Sequence, residues 1–219
     1  MDGWQTLLLG LPVLVLSVVV HEAAHAWMAA RQGDPTAALL GRLTLNPLPH
    51  LDPIGSVLVP ALLLLGGAPF LFGWAKPVPV DPRRYRHYRR GDILVSLAGV
   101  GANLLLALLF ALLLAALVWA NRWAPGFDVS VALLMGMARV GILVNCALVV
   151  FNLLPVPPLD GSHVVAHLLP PRAAWAYRRF GAYGLIVLLL LTAVGLTGWL
   201  GVPVRWLTKG ALGLVRLLT

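Results

Sequence analysis

Residues 4–30 read WQTLLLGLPVLVLSVVVHEAAHAWMAA, from Trp4 to Ala30, with His21-Glu22-Ala23-Ala24-His25 in the second half. A helix needs about 20 apolar residues to cross the hydrocarbon core of a bilayer, and this run is long enough, with its only ionisable groups confined to the second half. Residues 1–20 contain no Lys or Arg, so the basic start of a signal peptide is missing. The run is therefore read as a first membrane helix with three ionisable side chains placed within one turn.

The rest of the chain follows the same pattern. Of 219 residues, 60% are hydrophobic and 11% charged, with mean hydropathy +0.89. A soluble domain carries about a quarter charged residues, so a water-facing surface is excluded for most of this chain. Residues 93–120, 131–155 and 180–200 are further apolar runs, with Trp119, Trp123, Trp175 and Trp199 at or near their ends, where aromatic belts form at bilayer interfaces. Residues 54–72 are apolar but broken by Gly55, Pro60, Gly66, Gly67 and Pro69. Residues 203–219 are short and charged enough to suit an interfacial helix. Alternation in Arg42-Leu43-Thr44-Leu45, and the stretch Trp74–Val80 with Pro77 and Pro79, suggest two short edge strands. The expectation is an all-α polytopic membrane protein forming one domain over 1–219. It has four clear transmembrane helices, a broken or re-entrant segment at 54–72 and a small β-hairpin-like element.

The net charge of +8 lies mainly in loops. In a soluble protein it would point to nucleic acid; here it sets topology and contact with anionic lipid, so no nucleic-acid partner is expected. With the basic loop 81–92 in the cytoplasm, residues 93–120 run outward and 131–155 return. If 4–30 starts outside it ends inside, and an even number of crossings must then separate residues 31 and 92, so 54–72 would be re-entrant or a broken hairpin. Cys146 is the only cysteine, which rules out intrachain disulfides and thiolate zinc clusters.

His21 and His25 are one helical turn apart and share a face, so both imidazoles can reach one metal ion. Glu22 lies to the side of that pair, where a general base can take a proton from metal-activated water. It is the only glutamate in the chain. The bland alternative is two core histidines and a stray carboxylate, but unpaired charge in a membrane helix is rarely kept. Catalytic zinc takes three protein ligands, so one more must come from elsewhere. Phe151-Asn152-Leu153-Leu154-Pro155-Val156-Pro157-Pro158-Leu159-Asp160-Gly161 offers Asp160, placed after a proline-broken helix end. One zinc ion with Asp160 and Glu22 ionised comes close to electroneutrality.

The pair HEAAH and NLLPVPPLDG resembles the site-2 protease family of intramembrane zinc metallopeptidases, peptidase family M50. Ser96-Leu97-Ala98-Gly99-Val100-Gly101-Ala102-Asn103 resembles that family's small-residue motif, with Val100 where the family often has proline. GRLTLNPLPHLDPIG and GWAKPVPV resemble its short bacterial branch, without a PDZ domain. The resemblance implies a multi-pass cell-membrane zinc endopeptidase cutting transmembrane protein or peptide substrates. It assigns His21, His25 and Asp160 as ligands of one Zn2+ per chain and Glu22 as catalytic acid/base, in the bilayer toward the cytoplasmic side.

Other polar residues stay open. Asn152 is a candidate for substrate or oxyanion binding, or for satisfying carbonyls freed near Pro155. Asn103 is a candidate for the same binding role or for a helix–helix contact; His50, with Asp52, for lining the site. His163 and His167, four apart, could form a rival metal site with Asp160 that has no acid/base group, or lie on an interfacial helix. The alternatives to a protease are a non-proteolytic membrane scaffold and a metal transporter.

Overall fold

The structure, a computed structural model, describes residues 3–59, 62, 75–123, 128–193, 195 and 198–219. Eight α-helices are present among them. These are α1 (Gly3–Gln32), α2 (Thr36–Leu39), α3 (Tyr88–Trp123), α4 (Asp128–Asn152), α5 (Asp160–Ala166), α6 (Pro171–Arg179), α7 (Gly181–Ala193) and α8 (Gly201–Leu218). Short 3-10 turns occupy Leu48–His50, Pro82–Arg84 and Gly198–Leu200.

Three described helices are long and apolar enough to cross a membrane, over Leu9–Gln32, Tyr88–Trp123 and Ser130–Asn152. They lie within α1, α3 and α4, which pack on one another. Helix α3 shows how. Ala107, Ala111, Leu114 and Ala115 are buried, while Leu104, Leu105, Leu108, Leu109, Leu112 and Leu113 are exposed. Small residues inward and leucines outward is the reverse of a soluble helix; it suits a lipid surround, where backbones gain by close approach. Ala138, Ile142 and Cys146 of α4 complete this core.

Several boundaries differ from the sequence expectation. Helix α3 starts at Tyr88 rather than 93, absorbing Arg89, Arg90 and Asp92 from the basic loop. Helix α4 ends at Asn152, ahead of Pro155, as the restriction on residues preceding proline requires. Of the fourth expected span, residues 181–193 form α7, and 194, 196 and 197 lie outside the described residues. Helix α8 covers the stretch expected as an interfacial helix. Its stripe Val204, Ala211, Leu212 and Val215 packs on the α3–α4 core.

Among the described residues there is no strand, so the hairpin-like element is not formed. The two segments nevertheless meet. The Arg42 guanidinium donates to the carbonyls of Lys76 (2.7 Å) and Pro77 (3.2 Å), and the Lys76 N–H donates to the His50 carbonyl at 2.9 Å. Pro77 and Pro79 have no N–H, and a side chain takes the carbonyls that a ladder would need. Most of segment 54–72 lies outside the described residues. Its start, Pro53–Leu58, is a π-helical turn capped by Asp52, which accepts from Ile54 N (3.0 Å) and Gly55 N (2.7 Å).

Candidate metal centre

His21 and His25 project from α1 toward α3, where Gly99 faces them. A Cβ at Gly99 would lie 2.5 Å from His21 Cε1 and from His25 Nε2, so only glycine lets the two imidazoles stand against this helix. The His21 ring donates from Nδ1 to Asn103 Oδ1 at 2.6 Å, and the His25 ring donates from Nδ1 to the Val95 carbonyl at 2.7 Å. Both Nε2 atoms are thereby left as lone-pair donors, the form in which histidine binds a metal.

The orientation of Asn103 is itself fixed. Its Nδ2 donates to the Ser17 carbonyl (3.3 Å) and to Asn145 Oδ1 (2.8 Å). Asn145 Nδ2 in turn donates to Ser17 Oγ (2.8 Å) and the Gly141 carbonyl (2.9 Å), and Ser17 Oγ donates to the Val13 carbonyl at 2.8 Å. Carbonyls only accept, so Ser17 O and Gly141 O decide which end of each amide faces them. The Asn103 oxygen is then turned to His21. Ser17, Asn103 and Asn145 are fully buried and fully partnered, as buried polar groups must be to avoid a cost of about 1–3 kcal/mol each.

Asp160 is the first residue of α5. Its Oδ2 lies 3.3 Å from His21 Nε2 and 3.5 Å from His25 Nε2, and the two Nε2 atoms are 3.0 Å apart. The carboxylate oxygen is buried with no hydrogen-bond partner. With both imidazoles neutral, three electron-pair donors converge, which is repulsive unless a proton or a metal cation joins them. Tetrahedral zinc with bonds of about 2.0–2.1 Å holds its ligands about 3.3 Å apart, so the residues present fit that ion. Among the described residues this is the one group of three such ligand atoms within 4.8 Å of one another.

Glu22, beside this group on α1, accepts from the Val78 backbone N–H at 2.8 Å. Val78 is buried with Ala26 and Ala37, so the segment at 75–80 packs on α1 next to the carboxylate. The remaining candidates have partners of their own. Every polar atom of the Asn103 side chain is engaged in the network above. Asn152 Nδ2 donates back to the Leu148 carbonyl at 3.1 Å. The buried His50 ring pairs through Nε2 with the Thr44 carbonyl at 3.0 Å. His163 and His167 turn away from Asp160 to Asp92, so their rival site with Asp160 is not assembled. Ser17 and Asn145 were not singled out from sequence, although each is a polar residue inside an apolar span, which is itself a pointer to function.

Helices α1, α3 and α5 therefore define a membrane-type bundle with a His-His-Asp group and an adjacent carboxylate. The comparisons agree with that class. Residues 128–194 match the family model described as Peptidase family M50. The chain is 39% identical over 181 residues to YwhC of Bacillus subtilis, covering 81% of this chain and 77% of that protein. It is 37% identical over 194 residues to Rip2 of Mycolicibacterium smegmatis, covering 88% and 70%. Rip2 of Mycobacterium tuberculosis is 37% identical over 195 residues, again covering 88% and 70%. Each of these is named a putative zinc metalloprotease. No solved structure matches the chain. The chain belongs to peptidase family M50.

Proposed function

We propose that this zinc metalloprotease is an intramembrane endopeptidase, hydrolysing peptide bonds in or near the transmembrane segments of membrane proteins. One zinc ion would be held by His21, His25 and Asp160. The observation that carries the proposal is the convergence of His21 Nε2, His25 Nε2 and Asp160 Oδ2 between helices whose outer faces are leucine. Its membrane spans would number four, with 54–72 re-entrant and the site toward the cytoplasmic side, where the basic loop 81–92 belongs.

Zinc supplies Lewis acidity, acidifying water and polarising a carbonyl. The chain's own residues do the rest. Asn103 and the Val95 carbonyl hold the two imidazoles as Nε2 donors. Glu22 takes a proton from the attacking water and returns it to the leaving amine nitrogen. A helical substrate hides its carbonyls in internal hydrogen bonds and must unwind before attack. The 75–80 segment, beside Glu22, is where an unwound stretch would be laid. Asn152 and His50 remain candidates for substrate contact, while Asn103 acts on His21.

The test is zinc content beside cleavage of a transmembrane peptide in detergent or liposomes. Wild type should carry about one zinc per chain and cut the peptide. Asp160→Ala should lose both, and Glu22→Gln should keep zinc and lose cleavage. A folded wild type without zinc, or zinc lost with His163→Ala but not with Asp160→Ala, would overturn the site in favour of a scaffold or transporter. Zinc with no cleavage of any membrane peptide would overturn the protease.

A further inference from the structure

Asp92, His163 and His167 take no part in the chemistry above, yet they are held as closely as the site itself. Asp92, in the first turns of α3, is 2% exposed. Its Oδ1 meets His163 Nδ1 at 3.2 Å and its Oδ2 meets His167 Nε2 at 2.7 Å, with Arg178 Nη2 at 3.5 Å from Oδ2. The His167 ring also packs edge-on against Tyr88, centroids 5.4 Å apart. The cluster is not a second three-ligand group of the kind that His21, His25 and Asp160 form.

Its position is informative. Helix α5 has seven residues, with Asp160 first, His163 in the middle and His167 as its C-cap. A helix so short does not hold itself in place, because nucleation is costly and few bonds repay it. Tertiary contacts must fix it, and the Asp92 carboxylate grips it at two points one turn apart. Asp92, Val95, Gly99 and Asn103 also fall at intervals of three, four and four along α3, a single stripe. Each member of that stripe serves the centre. Val95 and Asn103 fix the imidazoles, Gly99 admits them, and Asp92 holds the helix that begins with Asp160.

We propose that Asp92 is a positioning residue that sets, through His163 and His167, where Asp160 stands against His21 and His25. The inference rests on the metal-site reading above. Groups that orient metal ligands at one remove are worth about 10–100-fold in metal affinity when removed, and that is the effect to look for.

The experiment is a Co2+ titration of the full chain in detergent, followed by the visible absorption of the cobalt and by melting of the metal-free protein. Asp92→Ala, and His163→Ala with His167→Ala, should each weaken cobalt binding about 10–100-fold and dim the intense band of four-coordinate cobalt. The triple variant should lose no more than either parent, since all three act through one contact. Asp92→Asn, which keeps the shape and one acceptor oxygen, should show a smaller loss in the same direction and covers the case in which the alanine variant fails to fold. Unchanged affinity and spectrum in a folded Asp92 variant, or losses that multiply in the triple variant, would overturn the clasp. If wild type takes up no cobalt, the metal site itself fails. If wild type binds cobalt and Asp160→Ala loses it while the Asp92 variants do not, only the clasp fails.

Discussion

The centre is assembled from two unlike halves. His21, Glu22 and His25 stand on α1, a 30-residue helix, and their mutual placement is dictated by helical spacing alone. Asp160 stands on α5, a seven-residue helix that follows a proline-rich turn and depends on other elements for its position. The first half is local and rigid; the second is distant in sequence and held by contacts. The difference teaches that the fragile coordinate of this site is the approach of α5 to α1.

The comparison can be sharpened or broken by substitution. The largest effect is expected for Glu22→Gln, which should lower cleavage by about 10²–10⁴-fold while zinc content stays at the wild-type level; loss of zinc would mean that Glu22 belongs to the ligand set. Next, Asn103→Leu removes the partner of His21 Nδ1 and leaves the Asn145 amide oxygen unmatched. Metal affinity should fall about 10–100-fold, measured by competition with a chromophoric chelator, and an unchanged affinity would show that the α1 half needs no help from α3. Gly161→Ala probes the other half. A Cβ there would lie 2.3 Å from the Leu153 carbonyl oxygen and 2.8 Å from that of Leu154, so α5 must shift. A stability loss of about 1–3 kcal/mol should come with weaker metal binding, and wild-type binding would show that α5 tolerates displacement. The smallest effect is expected for Ala24→Gly inside the HEAAH turn. It should cost about 0.5–1 kcal/mol of stability and leave metal affinity within a few-fold, as a rigid α1 requires.

The same division decided what could be read from the sequence. The spans carrying His21, Asn103 and Asn145 were legible because a run of about 20 apolar residues has few other meanings. HEAAH was legible because its geometry is that of one helical turn. Asp160 was suggested as a candidate by its setting after three prolines, and because an isolated aspartate beside an apolar run needs a partner. The grip of Asp92 on His163 and His167 was not legible. Asp92 reads as the end of a basic loop until α3 is seen to begin at Tyr88, and no periodicity links positions 71 and 75 residues apart. The two expected strands failed for a related reason. Arg42 reaches across from the first segment and occupies the carbonyls of Lys76 and Pro77 that a strand pairing would need.

The polar contacts that run from His21 to Asn103, to Asn145 and back to Ser17 form a closed ring through α1, α3 and α4. Each contact is under 3 Å, whereas one residue of helix rises about 1.5 Å, so no one of these helices can slide past the others by a residue without opening the ring. A bilayer thinner or thicker than the spans is ordinarily met by tilting, kinking or deforming the membrane. For this protein the ring leaves joint tilting of the three helices as the ready response. Changes in membrane thickness would then rock His21 and its partners on the three helices as a block, and any change in the centre would fall on the approach of Asp160, whose helix α5 lies outside the ring.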